Sequence, residues 1–217
     1  MYLPSPTVLV TGFEAFDTYQ HNPSWTIAQA LDQWQTHHHV VHARQLPCEF
    51  HRASQTLLQA LQTLQPTLVI CLGLAANRAA ISLERIAINI DDANIPDNAG
   101  QQPIDKKIQL TGPAAYFSNL PIKAMLHAIL EQQIACEISN TAGTFVCNHV
   151  FYNVMHYLQQ HAPQVRAGFI HVPAFSGSGI VSPATMDLAQ HIQAIQIAIS
   201  TALLTSQDLS IPAGHIA

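Results

Sequence analysis

The sequence predicts an α/β protein, a three-layer α/β/α sandwich with a mostly parallel central sheet, on three observations. Apolar, strand-like runs alternate with helix-period segments along the chain. The most apolar run, "LVICLGLAA" (68–76), has the unbroken character of a strand covered on both faces and about half of the ~20 residues needed to span a bilayer. Finally, 217 residues with 48% hydrophobic content suffice for one substantial core, so a single domain over residues 1–217 is expected.

Each element follows in order. "TVLVTG" (7–12) is the first strand, and "SWTIAQALDQW" (24–34) a helix with Ser24 as N-cap behind Asn22-Pro23. "VVHARQL" (40–46) is a strand, "HRASQTLLQALQTL" (51–64) a helix stopped before Pro66, and "TLVICLG" (67–73) the buried strand. "ISLERIAINI" (81–90) alternates and reads as extended, whereas "DDANIPDNAGQQPID" (91–105) is rich in turn residues and reads as a long surface loop. "PIKAMLHAILEQQ" (121–133) is helical and "ACEIS" (135–139) a short strand. "VCNHVFYNVMHYLQQH" (146–161) is a helix, with Val146, Val150, Val154 and Leu158 recurring every four residues. "AGFIHVPA" (167–174) is a last strand broken by Pro173, and "PATMDLAQHIQAIQIAISTALL" (183–204) a terminal helix.

Composition narrows the function classes. Charged residues make up 10% of the chain, the net charge is −5, and the 8 Lys and Arg form no cluster, which argues against nucleic acid as partner. No basic, apolar leader pattern opens the sequence, and no membrane association is expected. Cys48, Cys71, Cys136 and Cys147 are widely spaced without a CxxC, so reduced thiols in a cytoplasm are expected rather than a zinc ribbon or redox pair. His37, His38, His39 and His42 are read as a solvated edge, since alternation on a strand splits adjacent histidines between faces. "GSGIVS" (177–182) lacks the third glycine of a dinucleotide fingerprint, and no G-x-S-x-G elbow occurs.

Ligand sites in open α/β sheets gather outside the carboxyl ends of the strands. Three features are expected there: "GFEAF" (12–16) after the first strand, the loop leading to Cys147 after "ACEIS", and His171 at the end of "AGFIH". A thiol in a helix's first turn feels unpaired N–H groups and the positive dipole end, so the Cys147 thiol is expected to have a lowered pKa. A thiolate nucleophile works best beside a histidine held by a third polar group. His171 is the candidate base; Glu84, sharing a strand face with Ile86, Ile88 and Ile90, is the candidate orienter, because a carboxylate on an apolar face needs a partner. Taken singly, each has an ordinary alternative: buried inert cysteine, core histidine, strand-end ion pair. Phe13 and Phe16 fit either core or pocket wall.

At these residues the sequence resembles the pyrrolidone-carboxylate peptidase (pyroglutamyl-peptidase I) family of cysteine peptidases. "VTGFEAFD" with "NPSW", "LERIAINIDDANIPDNAGQQPID", "GPAAYFSNLPIKAM", "SNTAGTFVCNH" and "HVPA" follow the family's order across nearly the whole chain. The resemblance implies an α/β/α sandwich, removal of N-terminal pyroglutamyl residues from peptides, no metal or organic cofactor, and often a homotetramer in the cytoplasm. It makes Cys147 the nucleophile, His171 the general base and Glu84 the third catalytic residue, with Phe13, Phe16, Ile95, Phe145 and Val146 lining the pyroglutamyl pocket. Two departures stand out. "GLAANR" (73–78) replaces the family's G-Q-A-G-G-R, so Leu74 stands for a polar residue and Ala76-Asn77 for two glycines. Asn94 stands for an arginine near the active site, uncharged but able to donate a hydrogen bond, which makes it a candidate polar residue for the site or its oxyanion. A catalytically weak member serving as a pyroglutamyl-peptide binding module is the alternative within the family. A nucleoside-phosphorylase-like enzyme is the alternative outside it, and would want cationic phosphate ligands that the chain offers sparingly.

Overall fold

The computed structural model describes residues 5–17, 19–180, 182 and 185–214. Nine strands and five helices occur among them: β1 (Thr7–Phe13), α1 (Pro23–Ala30), β2 (Gln35–Thr36), β3 (His39–Leu46), α2 (Phe50–Leu64), β4 (Leu68–Leu74), β5 (Ile81–Glu84), β6 (Ile86–Ile88), β7 (Ala115–Phe117), α3 (Ile122–Glu131), β8 (Cys136–Ser139), α4 (Val146–His161), β9 (Arg166–Val172) and α5 (Leu188–Leu204). Seven strands form one sheet in the order β2-β3-β1-β4-β9-β5-β8, and β6 pairs only with β7.

Period-two alternation divides the core. Val8, Val10, Ile70, Leu72, Leu83 and Ile170 turn to one face, where α1, α3 and α5 bring Ile27, Met125, Ile129, Ile195 and Ile199. Leu9, Phe13, Val69, Cys71 and Phe169 turn to the other, under Leu57 and Leu61 of α2 and Val146, Val150, Val154 and Leu158 of α4. The four-residue repeat expected of α4 is thus its buried stripe, and the three layers are those expected.

Four differences follow from tertiary context. Ser24 is not the cap of α1: Asn22 is, its Oδ1 accepting from Ser24 N at 3.1 Å, while Ser24 Oγ accepts from Phe13 N at 3.0 Å and ties the helix to β1. β4 runs parallel to β9, but β5 runs antiparallel to β9 and carries β8 with it, so the carboxyl end of β8 does not share an end of the sheet with those of β1, β4 and β9. "ISLERIAINI" is not one strand. It breaks at Arg85 into β5 of the main sheet and β6 of the small one, so Ile86 and Ile88 do not continue Glu84's face and are only half-buried. Pro183 and Ala184 lie outside the described residues, and α5 starts at Leu188 behind a capping box of Asp187 and Gln190.

Gly12 makes the contact between β1 and α1 possible. A Cβ there would meet the Ser24 carbonyl oxygen at 2.4 Å and Trp25 Cα at 2.7 Å, both main-chain atoms that cannot swing aside. Gly12→Ala is therefore expected to destabilise the protein by about 1–3 kcal/mol, the usual cost of overpacking, measured as a lowered urea midpoint with the slope unchanged.

Candidate active site

The face covered by α2 and α4 holds the site. In the β4–β9 register Gly73 lies opposite His171, and Cys71 opposite Phe169. Cys147, the second residue of α4, lies directly above: a Cβ built on Gly73 would stand 2.8 Å from Cys147 Sγ and 2.7 Å from the Phe169 ring. The missing side chain at Gly73 is the space the sulfur uses. The Phe169 ring also packs 4.9 Å from the His171 imidazole, centroid to centroid. Sulfur and imidazole therefore share one face over adjacent strands.

Glu84 reaches His171 by a diagonal across the antiparallel β5–β9 pair, since Ser82 is the residue in register with His171 and Glu84 follows two later on the same face. Its Oε1 lies 2.7 Å from His171 Nδ1. A carboxylate can only accept, so Nδ1 carries the hydrogen and Nε2 is left for chemistry. Glu84 is completely buried, and its Oε1 also accepts from Arg78 Nη1 at 2.6 Å. Arg78 Nη2 donates to the Thr141 carbonyl at 3.0 Å, in the loop before α4.

The start of α4 is fixed by the chain that follows β6. Asn148 Oδ1 accepts from Ile88 N at 3.0 Å, and its Nδ2 donates to the carbonyls of Ile88 and Ile90 at 2.9 and 3.0 Å. His149 Nδ1 lies 2.8 Å from Asp91 Oδ2, and Thr144 Oγ1 donates to the Asp92 carbonyl at 2.6 Å. Phe145 occupies the N-cap position without a side-chain cap. The first-turn N–H groups of α4 thus keep their free hydrogens at the end that carries the sulfur.

The thiol's expected low pKa is overturned. Burial pushes it well above the ordinary 9.0; Cys48, Glu84 and Cys71 act in the same direction, and Arg78 pulls it down. With burial opposing the charged form, the proposed route to the thiolate is transfer of its proton to the neighbouring imidazole. Burial likewise holds Cys48, Cys71 and Cys136 at about 12.

Phe16 packs 6.3 Å from Phe145, Phe145 edge-on to Phe50 at 5.3 Å, and Phe13 6.5 Å from Phe169. Val146 is fully buried beside them. Phe13, Phe16, Phe145 and Val146 are thus brought together in one apolar cluster. Ile95 stays 39% exposed on the loop after β6, although Asn98, three residues on, ties that loop to the Ala15 carbonyl beside Phe16 at 2.9 Å. Asn94 is exposed as well. Leu74 belongs to a small apolar cluster with Ala174 and Ile180, against which Phe16, Tyr19 and Ala76 pack. Neither Ala76 nor Asn77 has a positive φ, so this turn has no need of the two glycines they replace. Arg78, Gly73 and Asn148 escaped the sequence reading. Only Arg78 carried a signal, as a cation six residues before a carboxylate that needed a partner.

Comparison with known proteins identifies the family and the fold. The sequence model of the family described as "Pyroglutamyl peptidase" matches residues 6–205. The chain is 48% identical to the pyrrolidone-carboxylate peptidase of Cupriavidus taiwanensis over 214 residues, covering 97% of this chain and 99% of that one. It is 48% identical to that of Klebsiella pneumoniae, covering 95% and 97%. The crystal structure of pyroglutamyl peptidase I from Bacillus amyloliquefaciens superposes with a TM-score of 0.93 at 37% identity, over 96% of this chain and 100% of that one. Pyrrolidone carboxyl peptidase from Thermococcus litoralis gives 0.92 at 37%, over 95% and 99%.

Because burial pushes the thiol's pKa up, the neighbouring imidazole is the group expected to sustain its reactivity at neutral pH. His171→Ala is expected to slow iodoacetamide labelling of Cys147 at pH 7 by about tenfold or more, with the rate recovering only as pH rises past about 9. Peptide mapping of the labelled site at each pH is the check; equal rates in both proteins at pH 7 would dissociate thiol from imidazole.

Proposed function

The chain belongs to the pyroglutamyl peptidase family, and on that premise we propose that it is a cysteine peptidase that removes N-terminal pyroglutamyl residues from peptides through an acyl-enzyme. The observation that carries this reading is the line from Cys147 over Gly73 to His171 and Glu84, three residues that share one face of the sheet.

In the proposed cycle His171 Nε2 takes the Cys147 proton, and the Sγ thiolate attacks the pyroglutamyl carbonyl carbon. The carbonyl oxygen, now negative, is met by the open N–H groups at the start of α4, whose dipole also favours it. Glu84 holds the imidazolium by Nδ1–H and keeps Nε2–H aimed at the leaving nitrogen. As the C–N bond breaks, that nitrogen takes the Nε2 proton and the peptide departs, leaving a thioester. Water then attacks the thioester carbon, giving its proton to Nε2; pyroglutamate leaves, and the sulfur regains a proton. Asn94, uncharged and exposed, remains the candidate side-chain donor to the oxyanion beside those backbone groups.

Pyroglutamate is a neutral lactam with one ring N–H and one ring C=O. The proposed ring site draws on Phe13, Phe16 and Phe145, whose rings gather with buried Val146 in one apolar cluster, and on Ile95 of the loop that Asn98 ties to Ala15; such apolar walls suit the flat ring. With Leu74 apolar, backbone groups must satisfy the two polar ring atoms. The reading extends to a homotetramer in the cytoplasm working without metal or organic cofactor; exposed Leu110, Phe117 and Leu204 are apolar surface that an assembly would cover. Among the described residues no helix is long and apolar enough to cross a membrane. Turnover, which a binding module would lack, is the discriminating observable.

A chromogenic pyroglutamyl amide is expected to be hydrolysed by the wild-type protein and not by Cys147→Ala, whose circular dichroism and melting should match the wild type. Wild-type turnover in the alanine variant would remove Cys147 from the mechanism. Prolyl and glutaminyl amides of the same leaving group each bring an ammonium that none of the wall residues can pair, and proline lacks the lactam carbonyl. Their kcat/KM is expected to be lower by ~10⁴, and near-equal values would overturn the lactam pocket.

A further inference from the structure

We propose that Arg78 is a positioning residue for this reaction, fixing the Glu84 carboxylate against His171 and tying it to the loop that delivers Cys147. The proposal rests on the roles given above to Cys147, His171 and Glu84.

Glu84 has no exposure, and its two oxygens are used unequally. Oε1 receives both Arg78 Nη1 at 2.6 Å and His171 Nδ1 at 2.7 Å, while Oε2 has no hydrogen-bond partner. An ionised carboxylate in such a place is held by its paired cation or not at all, because the desolvation of an unpaired buried charge is severe. The imidazole cannot be that cation throughout the cycle, since its charge comes and goes with the thiol proton. Arg78 is the permanent one.

Position adds a second role. Arg78 stands in the turn after β4, with its N–H on the Ala75 carbonyl at 3.0 Å. Glu84 ends β5, and Thr141 lies between β8 and α4. One planar guanidinium therefore fastens the strand that carries Gly73, the strand that carries the carboxylate, and the loop that enters the cysteine helix. Lysine could carry the charge, but a single ammonium on a flexible stem does not reproduce the rigid fork.

The groups facing this pair are few. His171 of β9 contacts Glu84, and the Cys147 sulfur of α4 feels both Glu84 and Arg78, as well as Cys48 before α2 and Cys71 of β4. Of the neighbouring charges, Arg85 turns away to Asn140 and the Ala213 carbonyl, while Glu137 of β8 lies on the same face and accepts from Ser82 Oγ at 2.8 Å. Removing Arg78 while Glu84 remains ionised leaves uncompensated negative charge beside the sulfur, which opposes thiolate. The sign is an upward displacement of the pH at which the sulfur becomes reactive, in line with the downward pull of Arg78 on that thiol.

The test compares wild type, Arg78→Gln and Arg78→Lys by two readouts: the pH profile of iodoacetamide labelling at Cys147, which needs no substrate, and kcat and KM for a pyroglutamyl amide. Arg78→Gln is expected to move the labelling profile up by at least about half a pH unit and to lower kcat about tenfold or more, with KM within about threefold. Arg78→Lys keeps the charge, so its labelling profile should stay near that of the wild type while kcat falls at least about threefold for want of the second hydrogen bond. Should Arg78→Gln fail to fold, Arg78→Lys decides. A wild-type labelling profile in Arg78→Gln, or wild-type kcat in Arg78→Lys, overturns the proposal. If the wild type hydrolyses no pyroglutamyl amide, the functional reading falls separately, and the labelling profiles still report on Arg78.

Discussion

A carboxylate sealed from solvent sets the terms for the rest of this site. Glu84 has no exposure, so the chain around it must supply donors, and it does so from two directions: a guanidinium from the turn after β4 and an imidazole from β9. That requirement explains why β5 lies beside β9 in the reverse sense. In the antiparallel pairing Ser82 takes the in-register position and Glu84 the diagonal one, from which a long side chain spans to the neighbouring strand. The reversed strand direction of β5 against β9 is the one that lets the acid and the imidazole meet.

The sulfur depends on a complementary constraint. Cys147 occupies the volume that any side chain at position 73 would fill, so the strand beneath it must carry glycine there. The helix above cannot drift, because Asn148 and His149 anchor the turn immediately after the cysteine to Ile88, Ile90 and Asp91. Rigidity of this kind is what a group with a raised thiol pKa needs: when thiolate exists only by grace of a neighbouring imidazole, small separations decide how much of it there is.

The architecture was legible in the sequence because its determinants are local. Period-two and period-3.6 patterns marked five helices and the long strands, and the boundaries of α4 coincide with the apolar repeat that indicated it. Cys147, His171 and Glu84 could be singled out because each carries a chemistry that an apolar setting makes conspicuous. What stayed hidden depends on non-local partners. The reversal of β5 and β8 arises from pairing, which no one-dimensional pattern encodes. "ISLERIAINI" keeps its alternation across Arg85 although the chain changes sheets there, so Glu84 was assigned the right need for a partner on the wrong apolar face. The cap passed from Ser24 to Asn22 because Phe13 N claims the serine hydroxyl. A helix start, which favours thiolate, is visible in the sequence, whereas the burial that opposes it depends on non-local packing.

The carboxamide of Asn148 has a second consequence, away from the chemistry. β6 pairs with β7 along one edge only, leaving the other edge able to take up a foreign strand. Along that edge Asn148 receives the Ile88 N–H and donates to the Ile88 and Ile90 carbonyls, much as the peptide group of an adjoining strand would. A side chain thus ends the small sheet where another strand would otherwise extend it. The same residue that sets the first turn of α4 satisfies main-chain groups beneath that helix, so loss of this one amide would strand them in the same event that loosens the helix.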